Sequence, residues 1–489
     1  MVLLFNDQKS RRLDYILDEV FVLRGQLSFE TTDNWDDFVR SKAAIKLVYA
    51  KTECFNQESF LQGMRTLQTQ KPLGFLFIPN GGFLFETNTR EWGWTPSDGI
   101  ISVTASKHAL PFDSLEGLFI SENTQEIGVD HLSFDVFAHI FWCISRYEEY
   151  QWATLQSLHN GKQGGGAVLK KSRTFPPDQH ARFQAKYSHL STLGWLDIPI
   201  VDKAIAFLFS QMGVNIPRKP STSATADIDM ALRFGGRSFA RYCASTLQDL
   251  MTRPMLITDR LSVLFGKIDP YHPLKYTIPL LAESNNSKVF FLLSNKRTQI
   301  NKQISLDNKH LASSILGAVK VLGANATGLH PSYQVPTEHS NPDEVWGKEL
   351  DYLTRYTGKK VLHARLHYIN LHFPSSYRKL NQLGIEHDWS MGYPDAVGFR
   401  AGTSFPFSWY DLVAEKSTKM LVHPFCIMDV TCKLYLRLSP HESIALGEKL
   451  KTSIHALGGD FCFIFHNESV ADCFPWKGWG SVINKWLEP

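Results

Sequence analysis

From Thr222 onward the chain repeats one pattern: a short apolar run ending in polar or ionisable residues, then a helical segment. The runs fall at 222–229, 288–294, 326–330, 360–367 and 460–466. Strands joined by helices cannot pair as hairpins; the helix carries the chain back across the sheet, so successive strands lie parallel. This many units within 216–489 predict a (β/α) barrel. The helices between them are punctuated accordingly. Asn341 and Pro342 supply a cap and first turn, Asp343 and Glu344 suit the positive end of the helix dipole, and Gly358 stops the helix. Another starts near His441, buries Ile444, Leu450, Ile454 and Leu457, and ends at Gly458.

The first part of the chain reads as a separate α/β unit. Val2 to Phe5 has strand character, and Leu13, Ile16, Leu17, Val20 and Phe21 follow at helical spacing. Residues 45–49 suggest another strand and residues 136–147 a strongly aromatic helix. Gly161 to Gly166, with Lys170, Lys171 and Arg173 after them, reads as a mobile loop. Two prolines and several small polar residues in 215–223 mark a boundary, giving an N-terminal α/β domain over 1–215 and the barrel over 216–489. The first unit carries no recognisable catalytic motif.

Charge and cysteine usage narrow the function. A net charge of +3 on 489 residues implies no polyanionic partner, so nucleic acid is not expected. The seven cysteines form no Cys-x-x-Cys pair, which fits free thiols in a reducing compartment. Lys9, Arg11 and Arg12 follow the apolar start instead of preceding it, the reverse of a secretory signal. No run nears the roughly 18 apolar residues of a membrane span. The expectation is a cytoplasmic protein without a membrane span; its oligomeric state is open.

In a parallel barrel the active site collects at the C-terminal ends of the strands. Those ends carry Asp227 and Asp229, His330, Arg365 and His367, Asp388, and His466. Carboxylate with imidazole makes a site for zinc or a similar divalent cation. A second carboxylate can take a proton from the water that such a cation acidifies, and a further imidazole can protonate a leaving group. Singly, each residue has an ordinary structural use: Asp-Ile-Asp as a turn, His before Pro as a packing residue, Arg365 as a surface charge. Their coincidence at successive strand ends is what signals chemistry.

These motifs resemble the NodB-like polysaccharide deacetylases of carbohydrate esterase family 4. In particular they resemble a branch in Bacteroidetes-type bacteria that joins the barrel to an N-terminal domain of unknown function. In the barrel the likeness rests on Asp227-Ile228-Asp229, Gly328-Leu329-His330-Pro331-Ser332-Tyr333, Arg365-Leu366-His367-Tyr368, Asp388-Trp389-Ser390-Met391-Gly392-Tyr393, Gly398-Phe399-Arg400-Ala401-Gly402-Thr403, Met428-Asp429 and His466-Asn467. Before the barrel it rests on Phe134-Asp135-Val136-Phe137, on Ser145 to Tyr150, and on Asp178 with Arg182-Phe183.

The resemblance implies a metal-dependent hydrolase that removes an acetyl group, N-acetyl favoured, from a carbohydrate substrate: a glycan or glycan precursor. It implies Asp227 as general base, Arg365 as its partner, His466 as general acid and Asp388 as the support of that acid. It makes Asp229 and His330 ligands of a divalent metal, by expectation Zn2+. Two departures stand out. The opening motif is Asp-x-Asp, where many members have adjacent aspartates, and Gln334 occupies the position of a second metal-motif histidine. His367, beside Arg365, is the candidate to complete the ligand set. Tyr333, Trp389, Tyr393 and Arg400 are the candidate substrate-binding residues. Two other functions remain open: hydrolysis of a non-peptide C–N bond in a small molecule, and non-catalytic glycan binding or assembly by a barrel without turnover.

Overall fold

The computed structural model describes the chain apart from residues 52–53, 55–56, 71, 81, 86–134, 161–176, 237–238, 285, 295–307, 334–341 and 489. The glycine-rich loop expected at 161–166 and the cap residue Asn341 lie outside the described residues.

Two sheets organise the molecule. The first contains β1 (Val2–Phe5), β2 (Phe29–Thr32), β3 (Ile45–Ala50) and β4 (Gly74–Pro79), all parallel, in the order β2-β1-β3-β4. The second contains β5 (Ser221–Ile228), β6 (Ser287–Leu292), β7 (Thr327–His330), β8 (His363–Ala364), β9 (His387–Met391), β10 (Phe407–Asp411), β11 (Lys416–Pro424), β12 (Ile427–Met428) and β13 (Asp460–His466). Its order is β10-β11-β9-β8-β7-β6-β5-β13-β12, and only the β10–β11 pairing is antiparallel.

Side chains show that this second sheet curls. Arg365, just past β8, donates to Asp227 and Thr225 on β5 at 2.8 and 2.7 Å, and to the Trp389 carbonyl on β9 at 2.9 Å. In a flat sheet β5 and β8 would stand about 14 Å apart. Curling brings their inner faces together, and the result is an irregular, open (β/α) barrel. Outward residues such as Ala224, Ala226, Val289, Phe291 and Phe463 form one core under the helices, while Phe290, Trp389, Cys462 and Ile464 fill the inside. Both faces are therefore buried, which is why these strands read as apolar runs without clean alternation. Gly328 permits a close approach on β7: a Cβ there would meet the Phe290 ring at 2.5 Å and the His363 carbonyl at 2.9 Å.

Two expected elements differ. The run 136–147 breaks into helices Val136–Ile144 and Tyr147–Asn160 at Arg146, whose φ is +57° and whose guanidinium binds Glu148 and Glu149. The run 360–367 forms only the two-residue β8, because the chain turns away directly after placing Arg365 and His367.

The largest apolar core draws on both sheets, joining Leu4, Phe141 and Leu208 to Leu366, Tyr377, Trp409 and Val422. Buried polar groups pin the same junction. Asp202 accepts from Arg24, from Thr403 and from the backbone and side chain of Ser404, while Arg400 pairs with Glu149. Glu19 is also sealed there, accepting the Ser408 N–H at 2.8 Å. Burial pushes its carboxyl up to about 7 against the opposing pull of Arg24. A raised carboxyl contributes stability that is fully present below the unfolded-state value near 4.5 and lost as pH rises to about 7. Two and a half pH units correspond to roughly 3 kcal/mol. Glu19→Gln keeps the acceptor for Ser408 and removes the titration. Its melting temperature should exceed that of the parent at pH 8 and match it near pH 4.5; equal differences at both pH values would refute this account.

Candidate active site

The site is assembled at the C-terminal ends of β5, β7, β8 and β13. Asp227 is the last inward residue of β5, and its Oδ1 accepts from Arg365 Nη1. Arg365 is fully buried, with Thr225, Asp227 and the Trp389 carbonyl as partners and its guanidinium carbon 4.5 Å from the centre of the Phe290 ring. Asp227 Oδ1 is thus fixed, and Oδ2 points towards His330, 3.8 Å from Nε2.

Asp229 lies two residues on, beyond the end of β5, with one half-exposed carboxylate. His330 Nε2 is 3.2 Å from its Oδ1, and His367 Nε2 is 3.4 Å from its Oδ2. These three residues offer one ligand atom each, all within 4.8 Å of one another, and form a group that could hold a metal ion. Three observations fit a cation. Asp229 Oδ1 is buried yet makes no hydrogen bond of acceptable geometry. His330 Nδ1 lies 2.6 Å from the Arg365 carbonyl, which can only accept, so the proton sits on Nδ1 and Nε2 faces Asp229. Burial holds His367 below the usual imidazole range despite the pull of Asp229, a direction that favours the neutral form that ligates. Burial acts to raise the Asp229 carboxyl, but His367, His330 and His466 together hold it well below the usual range. His367 therefore stands where the sequence expectation put it, whereas Gln334 lies outside the described residues.

His466 closes β13. Its Nδ1 is 2.8 Å from Asp429 Oδ1, its backbone N–H donates to Asp429 Oδ2 at 2.7 Å, and its Nε2 is 3.8 Å from Asp229 Oδ2. Burial opposes the charge, but Asp429, Asp229 and Asp227 push the imidazole up to about 10. The carboxylate bonded to His466 is thus Asp429, not the expected Asp388. Asp388 lies on β9 facing away from the barrel interior, where it accepts from Tyr377 Oη at 2.6 Å and from Ser390 Oγ at 2.7 Å. Alternation along β9 decides this: Trp389 takes the inward place, so its neighbour Asp388 points out.

Of the expected substrate-binding residues, the structure brings only Tyr333 near the site. It lies beside Tyr368, the residue after His367, with ring centres 6.1 Å apart. Trp389 is buried inside the barrel, stacked on His423 at 4.0 Å, and lines a cavity of about 570 Å3 with His363, His387 and Lys288 at the opposite strand ends. Tyr393 and Arg400 are sealed against Arg146 and Glu149, so their polar groups lock the segment after β9 to the break between helices Val136–Ile144 and Tyr147–Asn160 and do not face a ligand.

Sequence reading missed the rim. Tyr368 and Ile369 both have left-handed backbones, φ +61° and +51°, which costs of order 1–3 kcal/mol at each such residue. Arg182 stabilises this turn by donating to the Tyr368 carbonyl at 2.6 Å, while also holding Asp178 and the Tyr435 hydroxyl. His180 then packs on Tyr368 at 4.7 Å. Asp178 and Arg182 were singled out only by resemblance. Nothing in their spacing indicates that a segment before the barrel reaches the barrel mouth.

A model described as a family of unknown function (DUF7033) matches residues 2–159. No curated protein matches the chain. Among solved structures, a protein described as a polysaccharide deacetylase from Mycobacterium smegmatis is 12% identical, with a TM-score of 0.34 over 56% of this chain and 85% of its own. One so described from Pseudomonas aeruginosa PAO1 gives 12%, 0.33, 56% and 88%. An allantoinase, Puue, gives 11%, 0.29, 56% and 87%.

Proposed function

We propose that the protein is a metal-dependent hydrolase that removes an acetyl group, N-acetyl in preference, from a glycan or glycan precursor. Residues 216–489 form the catalytic unit in this reading, and 1–215 brace its mouth. The observation that supports it is one constellation: Asp229, His330 and His367 grouped as ligands, with Asp227–Arg365 on one side and His466–Asp429 on the other. When bound, a divalent cation, Zn2+ by the donor set, supplies Lewis acidity to the acyl oxygen and to the attacking water.

The chain's own groups do the rest. Asp227, whose Oδ1 is held by Arg365, takes the proton of the attacking water at Oδ2. His466, oriented through Nδ1 by Asp429, carries a proton at Nε2 to the departing amine nitrogen. Tyr333 and Tyr368 offer apolar faces with a hydroxyl at the mouth, a surface suited to a sugar ring.

The test is metal content of the purified protein together with acetate release from N-acetylated amino sugars. Metal-loaded protein should release acetate, chelated protein should not, and reloading should restore turnover. A fully metallated protein that releases acetate from no N- or O-acetylated sugar would refute the deacetylase reading.

Asp429 is a positioning residue with its own signature. Asp429→Asn removes the charge that orients and sustains the protonated His466. Turnover of an acetamide should fall about a hundredfold or more, with metal content unchanged. An activated acetyl ester, whose leaving group needs no proton, should be hydrolysed with a loss of less than about tenfold. Equal losses on both substrates would indicate that Asp429 only supports the fold.

A further inference from the structure

The connection from β5 to β6 contains two helices, Phe239–Thr252 and Leu256–Leu264, with an inverted distribution of polarity. Arg260 is buried between them, donating to Asp249 and Ser245, with its guanidinium 4.8 Å from Phe234 and 5.0 Å from Tyr242. Polar groups thus hold the pair together, while the apolar stripes face outward. Leu247, Leu250 and Met251 lie at one-turn spacing on the first helix, and Leu261, Leu264 and Phe265 on and just past the second; Met251 is 77% and Phe265 83% exposed. Nine of the 21 exposed large apolar side chains among the described residues fall between residues 239 and 268. A helix pair that turns its polar stripe inward and its apolar stripe to solvent needs an apolar covering.

The charges on this face indicate what covers it. Every exposed charged side chain between residues 239 and 276 is basic: Arg241, Arg253, Lys267 and Lys275. Asp249 is engaged by Arg260 and, at 3.8 Å, by Arg253, Asp269 is buried against backbone N–H groups, and Asp259 is half-buried. Two copies meeting through this surface would set cations against cations with no exposed acid between them. An anionic lipid surface meets both requirements, taking the leucine, methionine and phenylalanine side chains among its acyl chains and the four cations at its headgroups. Neither helix is long and apolar enough to cross a membrane, so the pair would lie in the interfacial plane.

We propose that the 239–268 helix pair docks the protein on the surface of an anionic lipid bilayer. The pair leaves the sheet at the strand end carrying Asp227 and Asp229. Asn467, next to His466, ties both ends of the connection by donating to the Met230 and Tyr271 carbonyls at 3.0 and 2.6 Å. Docking therefore brings the candidate site to the membrane surface, within reach of sugars carried on lipid. That last consequence rests on the deacetylase reading; docking itself does not.

Co-sedimentation of the full chain with sucrose-loaded vesicles tests it without requiring turnover, so failure of either reading is seen separately. The protein should pellet with mixed phosphatidylglycerol–phosphatidylcholine vesicles and at least about tenfold less with phosphatidylcholine alone. Leu250→Ser with Phe265→Ser should reduce binding to the anionic vesicles at least about tenfold, with unchanged circular dichroism and metal uptake. Arg241→Glu with Lys267→Glu should lower it to the level seen on neutral vesicles. The proposal is overturned if the parent protein stays in the supernatant with anionic vesicles, or if the serine variant binds as the parent does. It is likewise overturned if light scattering shows a dimer that the serine substitutions dissociate while no vesicle binding occurs, which would assign the face to a second copy.

Discussion

Replacing Asp227 with asparagine is expected to lower turnover by about two to four orders of magnitude while the protein keeps its metal. The substitution preserves the shape of the side chain and an oxygen for Arg365 Nη1, but an amide cannot take the proton of the attacking water. Metal content should persist because Asp229, His330 and His367 are untouched and His330 remains oriented by the Arg365 carbonyl. A second effect should accompany the first. Arg365 is fully buried, and among the described residues the only carboxylate bonded to it is Asp227. Removing that charge leaves a buried cation bonded only to neutral oxygens, so stability should fall by about 3 kcal/mol. Denaturant unfolding measures this separately from kinetics at a temperature where the variant is folded. A variant with turnover within about tenfold of the parent would exclude Asp227 as the base.

His367→Ala is expected to weaken divalent-metal affinity by about a hundredfold or more, since an Asp–His pair then remains where a three-residue set stood. The imidazole is buried, is held below its usual range by that burial, and meets Oδ2 of Asp229 while His330 meets Oδ1. Titration of chelator-stripped protein with Zn2+ gives the affinity independently of activity. Gln334→Ala should change it by less than about threefold. The reverse order of effects would return the third ligand place to residue 334, and a small effect of both would leave water to complete the shell.

Much of this protein was legible in its sequence because parallel β/α units write their strand ends plainly. Each inward terminal residue follows a run buried on both faces, so Asp227, His330 and His466 stand out as ionisable groups at the ends of apolar segments. The His367 expectation came from the resemblance, which puts it inside the arginine motif next to Arg365, near the end of the strand expected over 360–367. Helix limits were readable where glycines close them, as at the left-handed Gly358 and Gly458.

What sequence could not decide were questions of which face, and of partners far apart along the chain. Asp388 and Asp429 are both carboxylates in suggestive motifs. Only the pleat of β9 and the pairing of β12 beside β13 put Asp429 against His466 and turn Asp388 outward. Arg400 and Tyr393, in two separate motifs, were candidate substrate-binding residues, yet their partners, Glu149 and Arg146, lie some 250 residues earlier at the break between helices Val136–Ile144 and Tyr147–Asn160. Arg182 reaches Tyr368 across 186 positions. Local pattern therefore determined the kind of fold and the inventory of reactive groups, because strand periodicity and capping act over a few residues. Only the tertiary structure decided which carboxylate serves which histidine, and which arginine is a lock, because those pairings depend on sheet curvature and on chain segments meeting across the core.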